Sequence, residues 1–184
     1  MTGDVAVLIG AALLLSLERL TYAWAWRRPG RFSALAARLP DTPFGSPVEL
    51  LHAIFWAFKG LQLAVFVGWC EWWGGGHALV DLLAHPLHSP ARVLGVVLVA
   101  LGQLLNASVF LRLGKTGVFY GARFGRAVPW CRDFPFSLLR HPQYVGAVMS
   151  IWGFFMLTRF PHADWAVLPA LETVYYAAGA RLER

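Results

Sequence analysis

The sequence predicts an all-α, polytopic membrane bundle with four or five membrane helices, and three observations lead there. Charged residues make up 14% of the chain and hydrophobic residues 58%, whereas an ordinary soluble domain carries roughly 25% charged residues. Apolar runs recur at about the 20-residue length that crosses the hydrocarbon core of a bilayer. The chain is also rich in Trp and Phe (9 and 13), which gather at membrane–water interfaces. Its 184 residues fit one membrane-embedded unit, residues 1–184, rather than a string of soluble domains.

The first helix is expected from about Val5 to Trp26, with Glu18 and Arg19 near its end. The second runs from about Val48 to Trp73, after the turn-rich segment 41–47. The third runs from about Ala91 to Leu113. The fourth starts at Pro142, a residue suited to a first helical turn because it lacks an N–H, and stops before Pro161. The last apolar segment, about Ala163 to Ala180, is short and contains Pro169 and Glu172, so it spans, kinks or re-enters.

The loops differ in charge. The first holds Arg27, Arg28, Arg31 and Arg38; the third holds Lys115, Arg123, Arg126, Arg132 and Arg140. The second has Glu71 and Asp81 against Arg92. The positive-inside rule puts the first and third loops on the cytoplasmic side, together with Arg181, Glu183 and Arg184 if the last segment spans. The net charge of +6 therefore points to lipid headgroups and not to nucleic acid. Cys70 and Cys131 lack disulfide or metal-ligand spacing, so no metal is expected. His77, His85 and His88 read as polar loop residues. A cleavable signal peptide is not expected, because the N-terminus is not basic and its apolar run continues to Tyr22, Trp24 and Trp26.

Polar residues inside membrane helices are costly, so their spacing carries information. Glu49, His52, Trp56, Lys59 and Gln62 share one face of the second helix, and Gly95, Gly102, Gln103 and Asn106 make a small and polar side of the third. Gly146, Ser150 and Gly153 line the fourth; Trp165, Pro169, Glu172, Tyr176, Gly179 and Glu183 stripe the last. The glycines, Gln103, Asn106 and Ser150 read as helix packing. Lys59 and Glu172 either neutralise each other across the bundle or line a polar cavity. Glu18 and Arg19 read as an interfacial pair.

The most informative stretch is Arg140-His141-Pro142-Gln143-Tyr144-Val145-Gly146, where a basic loop meets an apolar helix. A helix start presents unpaired N–H groups and partial positive charge, which suits an anion. Lipid phosphate at a plain interfacial cap is the competing reading. The Lys115-Thr116 pair is not a phosphate loop, because no strand and no full GxxxxGK[ST] pattern precede it.

The segment from Leu113-Gly114 through Gly117, Phe119, Gly121 and Phe124-Gly125 is followed by Phe134-Pro135-Phe136 and then Arg140-His141-Pro142, Tyr144 and Gly146. Together with Phe44-Gly45-Ser46-Pro47, it resembles the phosphatidylethanolamine N-methyltransferases. These belong with the isoprenylcysteine carboxyl methyltransferases in a superfamily of membrane enzymes that use S-adenosylmethionine. The place matching the family's GxG reads Ala100-Leu101-Gly102, and its Glu-Glu pair is matched by Glu183 followed by Arg184.

The resemblance implies S-adenosylmethionine-dependent N-methylation of phosphatidylethanolamine, or of its mono- and dimethylated forms, toward phosphatidylcholine. It implies a cofactor site of Ala100, Leu101, Gly102, Arg140, His141, Pro142, Tyr144, Gly146 and Glu183. Within it, Arg140 and His141 take the cofactor carboxylate, Glu183 its ribose hydroxyls or ammonium, and Tyr144 and His141 serve catalysis. The lipid substrate is expected at Arg123, Arg126, Arg132 and Tyr120, with the phosphate near one of the arginines and Tyr120, Phe124, Trp130 or Tyr176 facing the methylated ammonium. The implied location is a bacterial inner membrane or the endoplasmic reticulum, with the active face cytoplasmic. Two other readings stand beside it: a methyltransferase of the same superfamily acting on a prenylcysteine carboxylate or small thiol, and a non-enzymatic lipid-binding membrane protein.

Overall fold

The structure is a computed structural model and describes residues 2–74, 78–84, 87–129 and 131–183. His77, His85, Trp130 and Arg184, named above, lie outside the described residues. The described residues form helices and no strands. Five are long: α1 (Thr2–Arg27), α3 (Pro47–Gly74), α5 (Pro90–Val118), α6 (Pro142–Thr158) and α7 (Val167–Leu182). Two short ones, α2 (Pro29–Ala36) and α4 (Ala78–Ala84), occupy the first and second loops. Three stretches, Asp4–Arg27, Pro47–Trp72 and Pro90–Phe124, are long and apolar enough to cross a membrane. Helices α6 and α7, with 17 and 16 residues, span about 25 Å each at 1.5 Å per residue, less than the roughly 30 Å of hydrocarbon.

Helix α2 is a segment the charge pattern hides. Pro29 starts it, and Phe32 and Ala36, four residues apart on one face, are fully buried. Helix α5 continues one turn beyond the expected end at Leu113. Gly114 takes φ 62°, ψ 178° there, a backbone region open essentially to glycine alone. The chain thus bends and re-enters helix over Lys115–Val118, and Lys115 forms an ion pair with Glu49 of α3 at 2.6 Å.

The long helices form an incomplete ring. Helix α1 packs between α3 and α7, α7 between α1 and α6, and α6 runs along α5 for its whole length. Helix α3 meets α5 only narrowly. The α5–α6 seam is built on glycines: a Cβ added at Gly95 would lie 2.9 Å from the Gly153 carbonyl, and one added at Gly153 would lie 2.6 Å from the Gly95 carbonyl. One turn pair along, Gly102 faces Gly146 and Ser150 in the same way. Such close backbone approach is how membrane helices associate where hydrocarbon gives no hydrophobic drive. Gln103 Nε2 adds a hydrogen bond to Ser150 Oγ at 2.9 Å.

One end of the ring gathers the end of α1, α2, the start of α3, the end of α5, the start of α6 and the end of α7. Its core is Tyr22, Ala25, Phe32, Val48, Leu51 and Phe119. The basic first and third loops, the helix start at Pro142 and Glu183 therefore meet at one end.

Candidate functional site

A cavity of about 620 Å³ opens inside the ring at this end, within the range of roughly 300–1,000 Å³ usual for small-molecule sites. Helix α6 brings Arg140, His141, Pro142, Gln143 and Tyr144 to its wall. His141 is the residue before the first helical turn, and its ring stacks on Tyr144 with centroids 5.9 Å apart and planes 19° apart. The Tyr144 and Val145 amides donate to the His141 carbonyl, each at 3.1 Å. Pro142 has no amide hydrogen, so among the described residues Gln143 is the first-turn amide without a backbone acceptor.

Glu183, at the end of α7, is met by the loop after α5 and by the first turn of α6. The Tyr120 and Tyr144 hydroxyls both donate to its carboxylate, one to each oxygen. Tyr120 reaches it from a left-handed backbone conformation, φ 58°, ψ 28°, which costs a bulky residue about 1–3 kcal/mol. Its ring is held edge-on by Tyr22 at 5.9 Å and Trp26 at 5.1 Å. A residue strained in this way and over-determined by its neighbours is a pre-organised one.

The deeper wall is a polar network the sequence reading placed differently. Glu18 and Arg19 are not an interfacial pair. They stand nine and eight residues before the end of α1, about 13 Å along its axis, and Glu18 is only 4% exposed. Glu18 bonds Arg19 at 2.7 Å and Lys59 at 3.1 Å. Lys59 therefore pairs with Glu18 across the bundle and not with Glu172. The Glu172 carboxylate, 1% exposed, accepts from Gln62 Nε2 at 2.9 Å. Arg19 lays its guanidinium 4.1 Å from the Tyr176 ring centre, where aromatic faces attract cations.

The structure thus brings Tyr120, Arg140, His141, Pro142, Tyr144 and Glu183 to one cavity. Ala100 and Leu101 lie on the exposed outer side of α5, and Gly102 and Gly146 are buried against each other at the helix crossing; none of the four lines the cavity. Arg123, Arg126 and Arg132 are exposed outside it. Arg123 reaches toward the mouth, its guanidinium 3.8 Å over the ring of Trp26, which does line the cavity. Phe124 stacks on Phe32 in the cap, whereas Tyr176 lines the cavity. The residues missed are Glu18, Arg19 and Tyr22; the signal available was a charge pair too far from its helix end to reach water.

A family model described as phospholipid methyltransferase matches residues 90–184. A phosphatidyl-N-methylethanolamine N-methyltransferase of Arabidopsis thaliana is 52% identical over 54 residues, 29% of this chain and 33% of that protein. Proteins of the same description from Neurospora crassa and Saccharomyces cerevisiae are each 39% identical, over 87 and 61 residues. Those matches take in 46% and 33% of this chain, and 41% and 30% of the relatives. The chain thus spans less than half the length of these curated relatives. No solved structure matches it.

Proposed function

We propose that this chain, which belongs to the phospholipid methyltransferase family, transfers methyl groups from S-adenosylmethionine to the amine of phosphatidylethanolamine or its mono- and dimethylated forms. Residues 1–184 act as one membrane-embedded unit, with the cavity end at the cytoplasmic face. The observation that carries this reading is the convergence of Arg140, His141, Tyr144, Tyr120 and Glu183 on one cavity inside an apolar helical ring.

The donor set fits S-adenosylmethionine. The Arg140 guanidinium and the Gln143 amide offer donors for a carboxylate at the positive end of α6. Glu183 offers an acceptor for the cofactor's ammonium or ribose hydroxyls. When bound, the cofactor supplies an activated methyl group on a cationic sulfur. Arg140, His141 and Glu183 hold it, and Tyr144 orients it.

The chain's own task is to place the amine and take its proton. In-line transfer depends mainly on positioning, and the amine must be neutral to attack. Tyr144 takes this role: its oxygen accepts the ammonium proton as its own hydroxyl hydrogen passes to the Glu183 carboxylate, a reading supported by the hydrogen bond between the two. His141, stacked on the same ring, fixes the phenol's plane. Arg123 at the mouth holds the lipid phosphate by charge-assisted hydrogen bonds, while Arg126 and Arg132 draw anionic headgroups to the surface. The acyl chains stay in the bilayer and enter where α3 and α5 meet least, beside Leu63 and Phe110.

Expression in a cell that lacks phosphatidylcholine, followed by lipid mass spectrometry, tests the reading. Methylated ethanolamine lipids are the expected result; their absence from cells holding folded protein overturns it. His141→Ala is expected to weaken S-adenosylmethionine binding about tenfold, a loss typical of one charged hydrogen bond. Asn106→Ala, although its side chain also lines the cavity, should act mainly on stability, by less than about 1 kcal/mol. Equilibrium dialysis and thermal unfolding of the two variants check both statements.

A further inference from the structure

Lys59 stands deep in α3, and no step above uses it. An ammonium has three N–H donors, and here each has an acceptor on a different partner. These are Glu18 Oε2 of α1 at 3.1 Å, Gln62 Oε1 of α3 at 2.9 Å and the Tyr176 hydroxyl of α7 at 3.2 Å. Tyr176 is thereby held at its hydroxyl by Lys59 and at its face by Arg19. Its ring meets Tyr144 edge-on at 5.5 Å. Tyr144 in turn donates to Glu183. A continuous chain of contacts therefore runs from Lys59 to the phenol placed at the reaction.

The Lys59 side chain is 25% exposed, and a partly desolvated ammonium that served only to join helices would be better replaced by an apolar side chain, because stripping its water carries a free-energy cost. What an ammonium with all three donors met supplies instead is one defined arrangement of the groups it holds. The Lys59 tripod links three helices and ends on a ring that packs against Tyr144. Glu18, Lys59, Gln62 and Tyr176 all face the cavity, whereas Glu172 lies behind them.

We infer that Lys59 is a positioning residue for methyl transfer, fixing Tyr176 and, through it, the Tyr144 hydroxyl on Glu183. The inference rests on the functional reading above, since the reaction it positions is the one assigned to Tyr144. A misplacement of about 1 Å costs on the order of a hundredfold in rate without a matching loss of binding. Lys59→Met and Tyr176→Phe each remove the Lys59–Tyr176 hydrogen bond, the first by a side chain of similar length, the second by a single oxygen.

The test uses the full chain in vesicles containing phosphatidylethanolamine and its monomethylated form. Each variant is expected to lose turnover by about ten- to a hundredfold, with S-adenosylmethionine affinity and lipid KM held within about threefold. The double variant should be no slower than the slower single one, because both break the same link. Lys59→Arg should recover part of the turnover. A purely structural lysine gives a lower thermal midpoint with unchanged turnover per folded molecule, or additive losses, and either result overturns the inference. If Lys59→Met does not fold, Tyr176→Phe decides the matter on the same split. A wild-type chain without methyl transfer overturns the functional reading and this inference with it. An active wild type with an unimpaired Lys59→Met variant overturns the inference alone.

Discussion

The Glu183→Gln variant is expected to bind S-adenosylmethionine about ten- to a hundredfold more weakly than the parent chain, because hydrogen bonds to a charged group contribute ~1.5–3 kcal/mol. Size and shape are kept, so α7 should keep its place against α1 and α6. The charge is lost, and with it the symmetry of the site. A carboxylate accepts from Tyr120 and Tyr144 on separate oxygens, while an amide offers one accepting oxygen and turns two donors toward the other phenol. One tyrosine is then released. If Tyr120 is the one released, only its ring contacts with Tyr22 and Trp26 repay its left-handed backbone, and the loop it anchors loosens. If Tyr144 is released, the proton acceptor is lost, so turnover should fall further than affinity does. Equilibrium dialysis with labelled cofactor measures the first effect, and initial rates at saturating cofactor measure the second. A variant that matches the parent in both would remove Glu183 from the site.

The long helices were legible in the sequence because apolar length is a local property, one that needs no knowledge of neighbours. Their crossings were partly legible. Gly95 and Gly102 on one helix, and Gly146 and Gly153 on another, share a seven-residue spacing that marks a packing face. The pairing of Gly95 with Gly153 and of Gly102 with Gly146 follows only once the two helices are known to run antiparallel and adjacent. The small-residue stripes carried that much information and no more.

The polar interior was legible as residue types and not as partners. Lys59 and Gln62 stood out by spacing, yet the partner of Lys59 is Glu18, forty-one residues away on α1. Which of two buried carboxylates meets a half-buried ammonium depends on how the helices order around the ring, a tertiary fact. Glu18 and Arg19 misled for a related reason. Adjacent opposite charges near a helix end resemble a headgroup pair, and only their depth along α1, with Glu18 covered by α3 and α7, separates the two readings. Tyr120 was singled out as a lipid contact, but its conformation was not foreseen. A tyrosine at positive φ leaves no trace in the sequence, because the cost is carried by Tyr22, Trp26 and Glu183 around it.

The Gly102→Val variant is expected to have the largest effect on stability, at or above the upper end of the ~1–3 kcal/mol typical of overpacked sites. A Cβ at this position runs into the Gly146 carbonyl oxygen and Ser150 Oγ, and lies 2.9 Å from the Ser150 amide. Two of these three atoms are backbone, which cannot rotate aside as a side chain does. Helices α5 and α6 must therefore part, and the Gln103–Ser150 hydrogen bond and the Gly95–Gly153 contact loosen with them. The cost reaches the cavity because the start of α6 carries His141 and Tyr144. Methyl transfer should fall together with the thermal midpoint, and in proportion to it. Leu101→Ala, on the exposed outer side of the same helix, should change neither. This pair of variants separates two roles for the Ala100-Leu101-Gly102 segment. If Leu101→Ala weakens cofactor binding at an unchanged midpoint, the segment touches the cofactor directly. If only Gly102→Val is damaging, its contribution is the close approach that lets α6 present its first turn to the cavity.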